Sequence, residues 1–286
     1  MRVFGIIFLL AVAFGGMARA EQVVWLTPAY PPAYIPERPD IDPHWSGTGF
    51  AEQIQTWFVD RMPGYQSEKL EASMNRIMAL MQSGDRLYCL ATTNPTPSRA
   101  AFMVFSVPLY LQPSNRIAVR NERLALVAPY LNAHGEVALP ALLEDARLNG
   151  SIVRSRVYSA AIDQSVMPVA GIDRQSSIET PPKLLLAGRA DWIIAYPREI
   201  EWAWRAGGGA VDSTDRPYRT YPIAGEPPFI SNHIGCTKNS AGARFIERVD
   251  QTIAAHPDRP WRLYMQAWLD PTDRAGAEAA QRAASR

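Results

Sequence analysis

Apolar and polar positions along the chain alternate between two rhythms. QVVWLT (22–27) is a short, almost continuous apolar run closed by Pro28, Pro31 and Pro32, which predicts a buried strand. After the turn-like SGTG (46–49), FAEQIQTWFVDRM carries apolar residues at 50, 54, 57 and 58, the spacing of an amphipathic helix. SMNRIMALMQSG repeats that spacing with Ile77, Leu80 and Met81 on one stripe and Gly84 as its stop. LYCLAT (87–92) then predicts a central strand, so the opening order reads β-α-α-β with parallel character.

A second unit starts near residue 112. RIAVR and GSIVRS predict strands, VALPALLED and SAAIDQSVM helices, and TPPKLLLAGRADWIIAY repeats the helix-Gly-strand step of residues 75–91. REIEWAWRAG is a Trp-rich helix ended by Gly207–Gly209. Beyond the proline-rich stretch 217–228, FISNHIGCTKN predicts a strand, and AGARFIERVDQTIAA and PWRLYMQAWL two helices. The tail from Pro271 is rich in Ala, Arg and Gln without an apolar stripe and is expected to fray. The result is an α/β protein of two units joined by proline-containing crossings.

The N-terminus adds a compartment. Arg2 precedes an apolar run at 3–14, and Ala18-Arg19-Ala20 places small residues before Glu21, the pattern of a cleaved secretory signal over residues 1–20. The run is too short for a membrane span. The mature chain of 266 residues is expected in the periplasm, with 27 basic and 28 acidic residues once Arg2 and Arg19 are removed. That near-neutral balance gives no reason to expect nucleic acid or an anionic membrane as partner. The two cysteines, Cys89 and Cys236, are expected to be bridged in an oxidising compartment, two buried thiols being the alternative.

Enzyme chemistry finds little support. His44, His134, His233 and His256 have no metal-ligand spacing, and HExxH, paired CxxC and GxSxG are absent. No catalytic residue, metal or cofactor is assigned. What stands out is TTNPTPSRAAFMVFSVPLY (92–110), where a strand ends in Thr92, Thr93 and Asn94 and a single cation, Arg99, follows on a proline-stiffened loop. Loops at the carboxyl ends of strands line the ligand crevice of open α/β sheets. An arginine there can grip a carboxylate or phosphate in bidentate fashion. A loop cap or surface ion pair would use the same residue type.

TPSRAAFMVFSVPLY (96–110) resembles the T-x-x-R-x-x-x-x-x-F-S-x-P-Y signature of family 3 extracellular solute-binding proteins, the polar amino acid-binding type. WLTPAYPPAYI resembles that family's first strand and aromatic-proline ligand loop, and SGTGF the turn that opens its first helix. IMALMQSGDRLYCLAT is similar to its helix-to-strand step, with Leu87 near the place of the family's Asp. LLLAGRADWIIAY is similar to the matching step of its second lobe, and YMQAWL to its last helix. The resemblance implies a two-lobed type II periplasmic binding protein fold, each lobe a mixed sheet flanked by helices. Lobe 1 would combine 21–112 with 226–272, lobe 2 would span 113–225, and 273–286 would be a flexible tail. Cys89 and Cys236 would then share a lobe.

By the same resemblance, Tyr30 or Tyr34 would cover a ligand, and Thr92 and Asn94 would hydrogen-bond it. Arg99 would grip its carboxylate, and Ser155, Arg156 and Tyr196 would face it from the second lobe. The family's amino acid binders carry an acid shortly after the second-lobe strand, whereas this chain has Tyr196-Pro197 there. Glu199 or Glu201 would have to reach over in its place. The expected function is capture of a small, carboxylate-bearing solute by a monomer that serves an ABC importer or a membrane sensor. The alternatives are a cyclohexadienyl dehydratase-like enzyme on the same fold, with Asp163, Glu199 or Glu201 as its acid, and a protein-interaction module without a solute.

Overall fold

The computed structural model describes residues 20–38, 45, 47–154, 156–211, 213 and 215–284. Apart from Ala20, the expected signal peptide lies outside them. Eleven strands among the described residues form two sheets. The first holds β1 (Glu21–Thr27), β2 (Tyr65–Glu71), β3 (Tyr88–Thr93), β4 (Met103–Phe105) and β5 (Tyr110–Pro113), and is completed by β11 (Phe229–Thr237). The second holds β6 (Arg116–Arg120), β7 (Gly150–Val153), β8 (Asp173–Gln175), β9 (Trp192–Ala195) and β10 (Tyr218–Pro222).

In the first sheet the order is β2-β1-β3-β11-β4, with β5 pairing the start of β11. β1 runs parallel to β2 and β3, and β11 antiparallel to β3, β4 and β5. Val23, Val24, Trp25 and Leu26 are all fully buried, which is why β1 reads as an unbroken apolar run rather than an alternation. The second sheet runs β10-β6-β9-β7-β8, parallel along β9-β7-β8 and antiparallel at β10-β6-β9.

Around the first sheet lie α1 (Phe50–Val59), α2 (Met74–Ser83), α3 (Pro97–Ala100) and, from the chain's end, α9 (Ser240–Ala255), α10 (Arg262–Gln266) and α11 (Pro271–Ala284). The second carries α4 (Leu124–Val127), α5 (Leu139–Leu143), α6 (Ala160–Val166), α7 (Thr180–Leu186) and α8 (Pro197–Ala206). None of the described helices is long and apolar enough to cross a membrane.

Three expectations change. The opening order is β-α-β-α-β, because YQSEKLE at 65–71 is an edge strand whose mostly exposed, polar side chains hide it from a hydrophobicity reading. The proline-rich stretch contains β10. The tail is not irregular: α11 buries Asp273, Ala277 and Gln281, so its docked face is made of small and polar groups rather than an apolar stripe.

Cys89 and Cys236 face each other across β3 and β11 and are joined by a 2.05 Å disulfide. The crossings between the lobes are stitched by the β5–β11 ribbon, the Ser114 N–H to Pro228 O bond of 3.2 Å, and a bond from Ser114 Oγ to Pro227 O. The core of the first lobe also takes in Trp202 from α8, which meets Trp45 and Trp268 at ring distances of 5.4 and 5.6 Å. α8 is therefore anchored in one lobe's core while its first turn faces the space between the sheets.

Candidate functional site

A cavity of about 1110 Å³ separates the two lobes and is lined from both. On the first-lobe side, β3 ends at Thr93, and Thr96 caps α3 by accepting the Arg99 N–H at 3.2 Å, with Pro97 in the first turn. This short helix turns the Arg99 side chain back toward the strand end. Its Nη1 donates to Thr93 Oγ1 and to the Asn94 carbonyl, both at 3.0 Å. No carboxylate among the described residues pairs with Arg99. Burial pulls its pKa down, against the electrostatic influence of Tyr196 and Tyr30. Nη2 and Nε have no hydrogen-bond partner among the described residues, and Arg99 lines the cavity.

Thr96, Ser98 and Phe102 of the signature also line the cavity, whereas Ser106 is structural. Ser106 Oγ accepts the Ile234 N–H at 3.1 Å, and the Ser106 carbonyl lies 2.7 Å from His233 Nδ1, pinning the chain to β11. His233 is a buried core histidine whose pKa burial lowers.

The second-lobe side centres on Arg156. Its Nη1 and Nη2 donate to the two carboxylate oxygens of Glu199 at 2.7 and 3.1 Å, with side-chain exposures of 7% and 2%. The guanidinium also lies 4.5, 5.0 and 5.9 Å from the ring centres of Tyr196, Tyr158 and Tyr30. Such contacts contribute about 2 kcal/mol or more when desolvated. Glu199 sits in the first turn of α8 and accepts the Tyr196 N–H at 3.1 Å, so the helix start holds the carboxylate in place. Burial alone would raise its pKa, but Arg156, Arg198 and these hydrogen bonds outweigh that and hold it below the usual carboxylate range. An acid does reach over, then, but its partner is this protein's own arginine.

Next to Glu199 in sequence, Arg198 is 6% exposed. Its Nη1 donates to Gln112 Oε1 at 2.5 Å, and its guanidinium lies 4.2 Å from the Tyr196 ring centre and 5.8 Å from that of Phe50. Gln112 and Asn232 are diagonal neighbours on one face of the β5–β11 ribbon, and both line the cavity.

The predicted residues divide. Tyr30, Asn94, Arg99, Arg156 and Tyr196 are brought together: besides the arginine contacts, Asn94 Nδ2 donates to Tyr196 Oη at 3.3 Å across the cleft. Tyr34 and Thr92 touch the cavity, but their hydroxyls are engaged within the protein. Tyr34 Oη accepts the Ala91 N–H at 3.0 Å, and Thr92 Oγ1 bonds Tyr110 Oη and donates to Asn232 Oδ1 at 3.0 Å. Tyr34 is therefore core and Thr92 positions Asn232. The place foreseen for Arg156, against a solute's acid, is filled by Glu199. Ser155 lies outside the described residues. Glu201 is turned away from the cleft, paired with Arg205 at 2.8 Å and Arg216 at 3.1 Å. Sequence reasoning missed Arg198, Gln112 and Asn232; the cue for Arg198 was an arginine directly after the strand-end Tyr196-Pro197. No group of three or more metal-ligating side chains exists among the described residues.

No protein-family model matches the sequence, and neither does any curated protein. Solved structures do match the fold. An ancestral cationic amino acid solute-binding protein superposes with a TM-score of 0.62 at 14% identity, over 89% of this chain and 97% of that one. An amino acid ABC transporter substrate-binding protein from Streptococcus pneumoniae, bound to L-arginine, gives 0.61 at 16% identity over 87% and 93%. A histidine kinase sensor domain similar to periplasmic binding proteins gives 0.62 at 13% identity over 89% and 99%. The chain thus has the two-lobed α/β fold shared by solute-binding proteins and periplasmic binding protein-like sensor domains.

Proposed function

We propose that this protein is an exported, non-catalytic solute-binding protein of the family 3 type. It captures a small carboxylate-bearing molecule between its lobes and delivers it to an ABC importer or presents it to a membrane sensor. The observation that carries the reading is Arg99: a half-buried guanidinium in the cavity lining, aimed by Thr93 and Asn94, with no acid paired to it among the described residues. A half-buried cation without an anion is an unfavourable arrangement that a carboxylate relieves. The acid that would hold an ammonium, Glu199, is already joined to Arg156. The solute is accordingly an acid without a free amine. Lobe closure on it is a shift of population toward the liganded arrangement.

The dehydratase alternative has no observation in its favour. Glu199 is ion-paired and held below the usual carboxylate range, which suits a permanent anion rather than a proton donor, and Glu201 faces away. The test is a thermal-shift screen of the mature protein after unfolding and refolding to strip carried ligand. A true ligand at about 100 times its Kd adds roughly 2.7 kcal/mol. Amine-free carboxylates are expected to raise Tm and α-amino acids to leave it unchanged; a response to amino acids alone would overturn the amine-free reading.

A further inference from the structure

Arg198 lines the same cavity, and a ligand role for it rests on the carboxylate-binding reading. Arg116, Arg123, Arg156, Arg205 and Arg216 each pair with an acid that is nearly buried: Asp273, Asp191, Glu199 and, for the last two, Glu201. Arg198 is as buried as any of them and forms no ion pair among the described residues. Its Nη1 has only the neutral Gln112 amide, and its Nε has no hydrogen-bond partner.

The groups around it share that state. Gln112 Nε2 and Asn232 Nδ2, on side chains 1% and 3% exposed, are also without partners. Their carbonyl oxygens are fixed by Arg198 and Thr92, which leaves the N–H₂ ends as the free halves. Three buried donors, on three residues that line one cavity, have no hydrogen-bond partner among the described residues, which is a costly arrangement. Among the described acids, Glu199 shares its field with Arg198 but is bonded to Arg156, Glu52 accepts the Gly49 and Ile35 N–H groups at 2.8 and 3.1 Å, and Glu71 is exposed.

We propose that Arg198, Gln112 and Asn232 form a second oxyanion subsite at the β5–β11 end of the cleft, so that the natural solute is a small dicarboxylic acid held by Arg99 at one end and by these three donors at the other. Each carboxylate then meets one guanidinium, Arg99 or Arg198, the two arginines of the cavity lining that form no ion pair among the described residues. Asn94 Oδ1, an unpartnered acceptor in the same cavity, suits a hydroxyl on the chain between the two acids.

The experiment is isothermal titration of refolded protein with matched pairs: glutarate against valerate, malate against 3-hydroxybutyrate. The dicarboxylate is expected to bind at least about tenfold more tightly in each pair, since a charge-assisted contact is at stake. Gln112→Glu places a carboxylate beside Arg198 at unchanged size, so the variant keeps a buried pair and its fold, and the dicarboxylate advantage should fall to about onefold. Arg198→Met should give the same loss. A wild-type ratio within about threefold, or an undiminished ratio in Gln112→Glu, overturns the subsite while leaving Arg99 capture intact. Failure of every acid to bind overturns the carboxylate reading and the subsite with it.

Discussion

Glu199→Gln removes one charge from the Arg156–Glu199 pair and little else. The amide keeps an oxygen for the Tyr196 N–H, which Glu199 accepts at 3.1 Å, and the side chain keeps its shape. What changes is Arg156, left at 7% exposure against three tyrosine rings with no anion. Breaking one side of a buried pair costs about 3–5 kcal/mol. A Coulomb estimate for unit charges about 4 Å apart at an effective dielectric of about 20 gives roughly 4 kcal/mol, in agreement. Removing both charges, with Arg156→Met added, eliminates the stranded cation and should return the protein to within about 1–2 kcal/mol of the parent. Urea unfolding of the parent, both single variants and the double variant at pH 7 yields the coupling energy. The pH dependence carries the same sign. Glu199 has a lowered pKa in the folded protein, so its stabilisation is present above the ordinary carboxylate pKa and is lost as pH falls through the lowered value; Glu199→Gln should lack that loss. A cost below about 1 kcal/mol for Glu199→Gln, or a double variant no more stable than the single, would refute the reasoning.

Replacing both cysteines by Ala reopens a loop spanning 147 positions, and the chain-entropy relation gives a loss of about 5 kcal/mol; equal urea midpoints with and without the bridge would contradict this. Asp273 has its carboxyl pushed up to about 6 by burial, with Arg116 pulling against it and Asp270 adding to it. Its contribution is present at low pH and lost as pH rises from about 4 through 6, a decline of roughly 2–3 kcal/mol; Asp273→Asn should flatten that slope in pH-dependent thermal unfolding. Gly150→Ala would drive a Cβ into the Trp192 ring, so a loss of about 1–3 kcal/mol or more is expected, read as a lowered Tm.

What the sequence disclosed follows from local rules. The stripe of Ile77 and Met81 and the left-handed Gly84 at φ 70° define α2 without reference to the rest of the fold. β1 and β9 read correctly because strands buried on both faces are apolar throughout. β2 escaped notice because its order comes from pairing with β1, not from its own burial pattern. α11 did so because Asp273 and Gln281 are buried by tertiary contacts, Asp273 with Arg116 157 positions away, where a polar pattern ordinarily signals exposure.

The site divides in the same way. Arg99 was visible because its partners, Thr93 and Asn94, lie within six residues. The Arg156–Glu199 pair joins a loop to a helix start 43 positions on, and Arg198 meets Gln112 across 86, so only the fold brings them together. The missing acid at Tyr196-Pro197 was legible, but the internal pairing that explains it was not.

The most direct test of the account is the affinity of the best carboxylate ligand for the parent and for Arg99→Ala, by isothermal titration, with Tm of the unliganded proteins as the folding control. Loss of a bidentate, charge-assisted grip predicts a Kd weaker by at least about a hundredfold at a nearly unchanged Tm. A Kd within about threefold of the parent in a folded Arg99→Ala protein would contradict the claim that this arginine captures the solute.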